Sequence, residues 1–114
     1  MKRKKDEVTL DGDVRYRVEF DQDRSSTVAF VVQLEFGAGD NVRPVLRYDT
    51  AHGFAHCDRY RPDGSVSKHE PMAEGDFNQA LTAAVKDVLD NWEDQVRPFR
   101  GRLRCACARR IIGG

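Results

Sequence analysis

The sequence predicts an α+β domain: an antiparallel meander of about five strands with one long C-terminal helix packed on a face, then a basic tail. Three observations carry this reading. Through the first half, apolar and polar residues alternate, which is the period of half-buried strands. Later, apolar residues recur at three- and four-residue steps over one long stretch, the period of a helix lying on an apolar surface. Between them lies a polar stretch at residues 47–68, RYDTAHGFAHCDRYRPDGSVSK, dense in histidine, aspartate and arginine.

Taken in order, residues 1–12 read as a flexible lead-in. Val14, Tyr16, Val18 and Phe20 then alternate with Arg15, Arg17 and Glu19, which places the apolar set on one face of a strand. After a polar connection over residues 21–26, Val28, Phe30, Val32, Leu34 and Phe36 form the inward row of a second strand. Ala29 and Val31 make its other face partly apolar, as suits a central strand. A third strand is expected over residues 42–49, with Pro44 near its start because proline cannot donate to a ladder. A fourth follows over residues 54–61. Pro62-Asp63-Gly64-Ser65 is a turn signal that returns the chain in a short fifth strand from Val66.

Asp76 with Gln79 three residues on has the form of a capping box. Behind it Phe77, Leu81, Ala84, Val85, Val88, Leu89, Trp92 and Val96 line one stripe, and Pro98 is expected to end the helix. Residues 13–99 are thus read as a single domain, and residues 100–114 as an arginine-rich tail outside any periodic element.

Composition narrows the function classes. At 114 residues the chain fits one domain. Its net charge is zero, but six of its 19 basic residues are arginines at position 97 or later, where no acid occurs. Residues 1–96 therefore carry the remaining 13 against all 19 acids. An acidic body is not the footprint of a general nucleic-acid binder, although the tail can supply phosphate contacts. The basic N-terminus lacks the apolar run of a secretory signal, and no segment has the length of a membrane span. Three cysteines without framework spacing, Cys57, Cys105 and Cys107, suit a reducing cytoplasm. Phosphate-binding loops, dinucleotide fingerprints and nucleophile elbows are absent from the sequence.

The candidate site is the polar stretch. His52, His56, Asp49 and Asp58 are the residues for acid–base chemistry, since histidine exchanges protons near neutral pH. Arg47, Arg59, Arg61 and Lys68 are the residues to hold a phosphate and stabilise charge developing on it. His52, His56 and Asp58 also suit a transition metal by ligand type, but four ligands at recognised spacing are missing, so no metal and no cofactor are expected. A structural account of the same residues stands beside these: arginines and aspartates facing each other across a ladder stabilise a sheet by about 0.2–1 kcal/mol per pair. If the stretch is a site, Arg47 and Asp49 should lie beside His56 and Asp58 on one sheet face, with the helix on the other.

The pattern R-Y-D-x-A-H-G-x-x-H-x-D, then P-D-G, then a helix ending N-W-E resembles a small bacterial and archaeal domain family of unknown function, over about residues 27–99. More loosely, Arg47, Asp49, His52, His56 and Asp58 are similar to the TumE-type toxins of toxin–antitoxin pairs. That likeness implies a cytoplasmic, metal-independent ribonuclease-like toxin acting on RNA, with a cognate antitoxin or other protein partner and no membrane association. Two other classes stay open: a non-catalytic protein-interaction module, and a ubiquitin-like modifier using Gly113-Gly114. Modifiers of that kind begin with two strands and then a helix, whereas here the helix is expected last.

Overall fold

A computed structural model describes the backbone of residues 2–72 and 75–113, with side chains as far as residue 100. Six strands precede one helix: β1 (Lys2–Asp11), β2 (Val14–Asp23), β3 (Ser26–Phe36), β4 (Arg43–Asp49), β5 (His56–Tyr60), β6 (Val66–Pro71) and α1 (Phe77–Gly113). The strands form one antiparallel sheet in sequence order, so every neighbour in the chain is a neighbour in the sheet. Short links make this the economical topology. The expected α+β architecture holds, with one strand more than the alternation revealed.

That extra strand is β1, where a flexible lead-in was expected. Its Lys2–Lys5 run carries no apolar alternation, and charge hides its period. Pairing with β2 satisfies its backbone, and the ladder sets Arg3 opposite Asp21 and Lys5 opposite Glu19. Both pairs close as ion pairs, at 2.8 and 3.4 Å. Such exposed pairs stabilise little. A lysine-rich outer edge does, however, discourage a further strand from adding to the sheet.

The core lies between the sheet and α1. Tyr16, Phe30, Val32, Leu34, Phe36, Leu46, Tyr48 and Cys57 meet Ala80, Ala84, Val88, Val96 and Phe99. The small Ala80 and Ala84 let the helix approach the sheet closely, while Leu89, expected in the buried stripe, is 49% exposed. The capping box forms as the spacing predicts: Gln79 N–H donates to Asp76 Oδ1 at 2.8 Å, and Asp76 N–H donates to Gln79 Oε1 at 3.1 Å. Asn78 Oδ1 also accepts the N–H of Thr27 at 2.8 Å, tying the helix start to β3.

Pro98 does not end the helix. It removes one backbone hydrogen bond, yet Val96 and Phe99 on either side of it are buried against the sheet. The Phe99 ring lies 6.2 Å from that of Phe36. Arg100 reaches back to Asp11 at 2.8 Å, with its guanidinium 5.8 Å over the Phe36 ring. Packing on both sides of the proline outweighs its local preference. The backbone thus stays helical through the stretch read as a tail, whereas the side chains of Cys105, Cys107 and the later arginines lie outside the described residues.

Two irregularities shape the sheet. Gly37 sits at φ 125°, where a Cβ would fall 2.2 Å from the Asn41 carbonyl oxygen, so the loop into β4 accepts only glycine there. Pro44 stands near the start of β4, where the β3–β4 register shifts. A bulge of this kind tolerates the missing donor.

Candidate functional site

Strand alternation divides the polar stretch between the two sheet faces. In the β4–β5 ladder Arg47 stands opposite Asp58, and Asp49 opposite His56. Residues 47, 49, 56 and 58 share the face away from α1, as the two-residue spacing requires. His69 of β6 lies opposite Asp58 and joins them. Arg59 and Lys68, themselves paired across β5 and β6, alternate to the helix side. There Arg59 lies 4.0 Å from Asp87 of α1, which also accepts hydrogen bonds from the Tyr48 hydroxyl, Asn91 and Gln95. Arg61 is spent on the turn, donating to Ser65 Oγ and the Val66 carbonyl, both at 3.1 Å. Of the expected phosphate ligands, only Arg47 shares a face with the histidines of the cluster.

At the centre is Asp49, buried, with two donors and one histidine nitrogen against its oxygens. Arg47 Nε donates to its Oδ2 at 2.7 Å, and the Ala51 N–H donates to Oδ1 at 3.1 Å. His56 Nε2 lies 2.8 Å from the same Oδ1. Burial by itself would raise the Asp49 pKa, but the Arg47 hydrogen bond, the Ala51 N–H and the nearby His56 outweigh it and hold the carboxyl below its ordinary range. Arg47 also donates to Gln33 Oε1 at 3.2 Å, and Gln33 donates to Glu35 at 2.6 Å. Glu35 binds Arg15 and Arg17, each at 3.0 Å. Its carboxyl is likewise depressed, with burial opposed chiefly by Arg15 and Gln33. A continuous polar chain therefore runs across β2, β3, β4 and β5.

The two histidines of this face differ in access. The His56 side chain is 3% exposed, and its second nitrogen, Nδ1, faces the Phe54 carbonyl at 3.3 Å. Both of its nitrogens therefore face acceptor oxygens of the protein. His69 is half exposed, and its Nδ1 lies against Asp58 Oδ1, which leaves Nε2 outside that contact. The ring centroids of His56 and His69 are 4.9 Å apart. His52 stands in the exposed β4–β5 loop and stacks on His56 at 5.7 Å, without joining the hydrogen-bonded cluster. Sequence reasoning passed over His69. The signal was in the hairpin, because the Pro62–Gly64 turn brings β6 back with residue 69 facing Asp58.

Beside Arg47 and Asp49 a groove of about 490 Å³ opens, also lined by Arg3, Asp21, Ala29 and Val31. Cys57, the next residue after His56, points to the opposite face and is buried. Its thiol is pushed up to about 11, mainly by burial, so it is no nucleophile at neutral pH.

A family model matches residues 1–104, nearly the whole of this architecture. The chain belongs to that family, described as Domain of unknown function (DUF7718). No curated protein and no solved structure matches. The family's span takes in β1, whose residues lay outside the resemblance read from the sequence, and so agrees with a strand integral to the domain. Six strands ahead of a single helix are not the two strands and a helix with which ubiquitin-like modifiers begin, and Gly114 lies outside the described residues. No helix among the described residues is long and apolar enough to cross a membrane.

Proposed function

We propose that this domain acts on RNA at the helix-free face of its sheet, with Asp58 and His69 as the working pair. The observation carrying this reading is the geometry of that pair: Asp58 fixes Nδ1 of a half-exposed His69 and leaves Nε2 outside that bond. In this arrangement Nε2 takes the proton of a ribose 2′-hydroxyl. The freed oxygen forms a bond to the adjacent phosphorus, the bond from phosphorus to the 5′-oxygen breaks, and water protonates the departing oxygen. The Asp58 carboxylate stabilises the imidazolium that results. Arg47 lines the groove together with Arg3; its Nε and Nη1 are given to Asp49 and Gln33, and its Nη2 is the donor proposed for the phosphate. The reading moves the proton-transfer role from His56 to His69, since His56 is enclosed and its nitrogens are engaged.

Of the toxin-like residues Arg47, Asp49, His52, His56 and Asp58, all but His52 fall in or beside this cluster, and His52 stacks on His56 from the β4–β5 loop; the overlap supports a toxin held in check by a cognate antitoxin. The test uses a labelled single-stranded RNA with chelator present. Wild type should yield 2′,3′-cyclic phosphate ends, His69→Ala should lose at least roughly 100-fold in rate, and Lys86→Ala on the helix should match wild type. An inactive wild type, or full activity in His69→Ala, would overturn the reading and leave a binding module.

A further inference from the structure

We propose that His56 Nε2, the Asp58 carboxylate and His69 Nδ1 form a site for a divalent transition-metal ion of the zinc class. One ligand atom from each residue can be chosen so that all three lie within 4.8 Å of one another. Strand geometry builds the set. His56 and Asp58 are two apart on β5 and so share a face, and the β5–β6 register puts His69 across from Asp58. Two imidazoles and one carboxylate are the donors that zinc, iron(II) or manganese take, and they suit calcium or magnesium poorly. The outer side of the set is His69, which is half exposed, so an ion can enter from solvent and keep open positions.

A second observation points independently to a cation at His56. Its Nδ1 faces the Phe54 carbonyl at 3.3 Å, while its Nε2 faces Asp49 Oδ1 at 2.8 Å and Asp58 Oδ2 at 3.9 Å. All of these partners are acceptors, and a neutral imidazole has one N–H to share among them. With that proton on Nδ1, held by the Phe54 carbonyl, the Nε2 lone pair points at two carboxylates, which either a second proton or a metal ion on Nε2 would offset. A backbone carbonyl holding the far nitrogen is also the usual outer partner of a metal-bound histidine. Asp49 Oδ1, anchored by the Ala51 N–H and lying 2.8 Å from the same Nε2, adjoins the ion on its inner side.

The inference goes beyond the RNA reading and does not depend on it. An ion here takes the Asp58 oxygen and the His69 Nδ1 that make up the proposed pair, so it would inhibit metal-free cleavage. The experiment titrates zinc and cobalt(II) into the full chain carrying Cys105→Ser and Cys107→Ser, which removes the competing thiols of the C-terminal segment. Calorimetry should show one zinc per chain. The cobalt(II) spectrum should report nitrogen and oxygen ligation without a thiolate band. His69→Ala and Asp58→Asn should each weaken binding by at least the roughly 10–100-fold that loss of an outer partner costs. Circular dichroism confirms that the variants fold, and His69→Gln serves as a milder second variant. Absence of binding in the serine background, or equal affinity in the folded His69 variants, overturns the site. Binding without RNA cleavage removes the RNA reading alone, and cleavage without binding removes the ion site alone.

Discussion

Replacing Asp49 by asparagine tests whether the polar face is a working network or a set of incidental surface pairs. Asp49 is 6% exposed, and its two oxygens meet Arg47, the Ala51 N–H and His56. Asparagine keeps the shape but offers a single acceptor oxygen. Whichever way the amide turns, its NH₂ faces either Arg47 or the Ala51 and His56 side. A hydrogen bond to a charged group contributes about 1.5–3 kcal/mol. Arg47 is about a third exposed, so solvent screening puts its share at the low end. The expected loss at pH 7 is about 2–3 kcal/mol in urea unfolding. The folded carboxyl titrates below its unfolded value, so its contribution is complete above the ordinary aspartate pKa of about 3.9 and is lost as pH falls through the folded value. Wild type and variant should therefore converge in acid. Glu35 titrates in both proteins and cancels in the difference. A gap below about 0.5 kcal/mol at neutral pH would refute the reasoning, and so would a gap that persists unchanged at about pH 3.

Two further predictions concern the helix and the thiol. Phe99→Ala should cost about 3–5 kcal/mol, because the ring is buried beyond the proline, while Pro98→Ala should raise the unfolding midpoint by restoring a backbone donor inside a helix; a neutral Phe99→Ala or a destabilising Pro98→Ala would show that the packed helix stops at the proline. Cys57 should resist alkylation at pH 7.5–8, followed site by site by mass spectrometry, and react only at the rate of global unfolding, since burial raises its thiol to about 11; modification of the native chain at the rate of a free thiol would contradict its placement under α1.

Local spacing determined what depends on one strand or one helix turn. The alternation of Val14–Phe20 and Val28–Phe36 set the inward rows, Asp76 and Gln79 set the helix start, and the two-residue steps at 47/49 and 56/58 put those four side chains on one face. Tertiary structure alone decided the rest, because the deciding partners are distant in sequence. The charged run Lys2–Lys5 became a strand only because β2 offered it an edge with acids in register. The helix passed Pro98 because Phe36 waited for Phe99. Arg59 found its partner in Asp87 of the helix, and His69 was brought to Asp58 by the register of a hairpin. Periodicity records which face a residue occupies, but the identity of its neighbour on that face is fixed by pairing across strands, where a shift of one position replaces every partner.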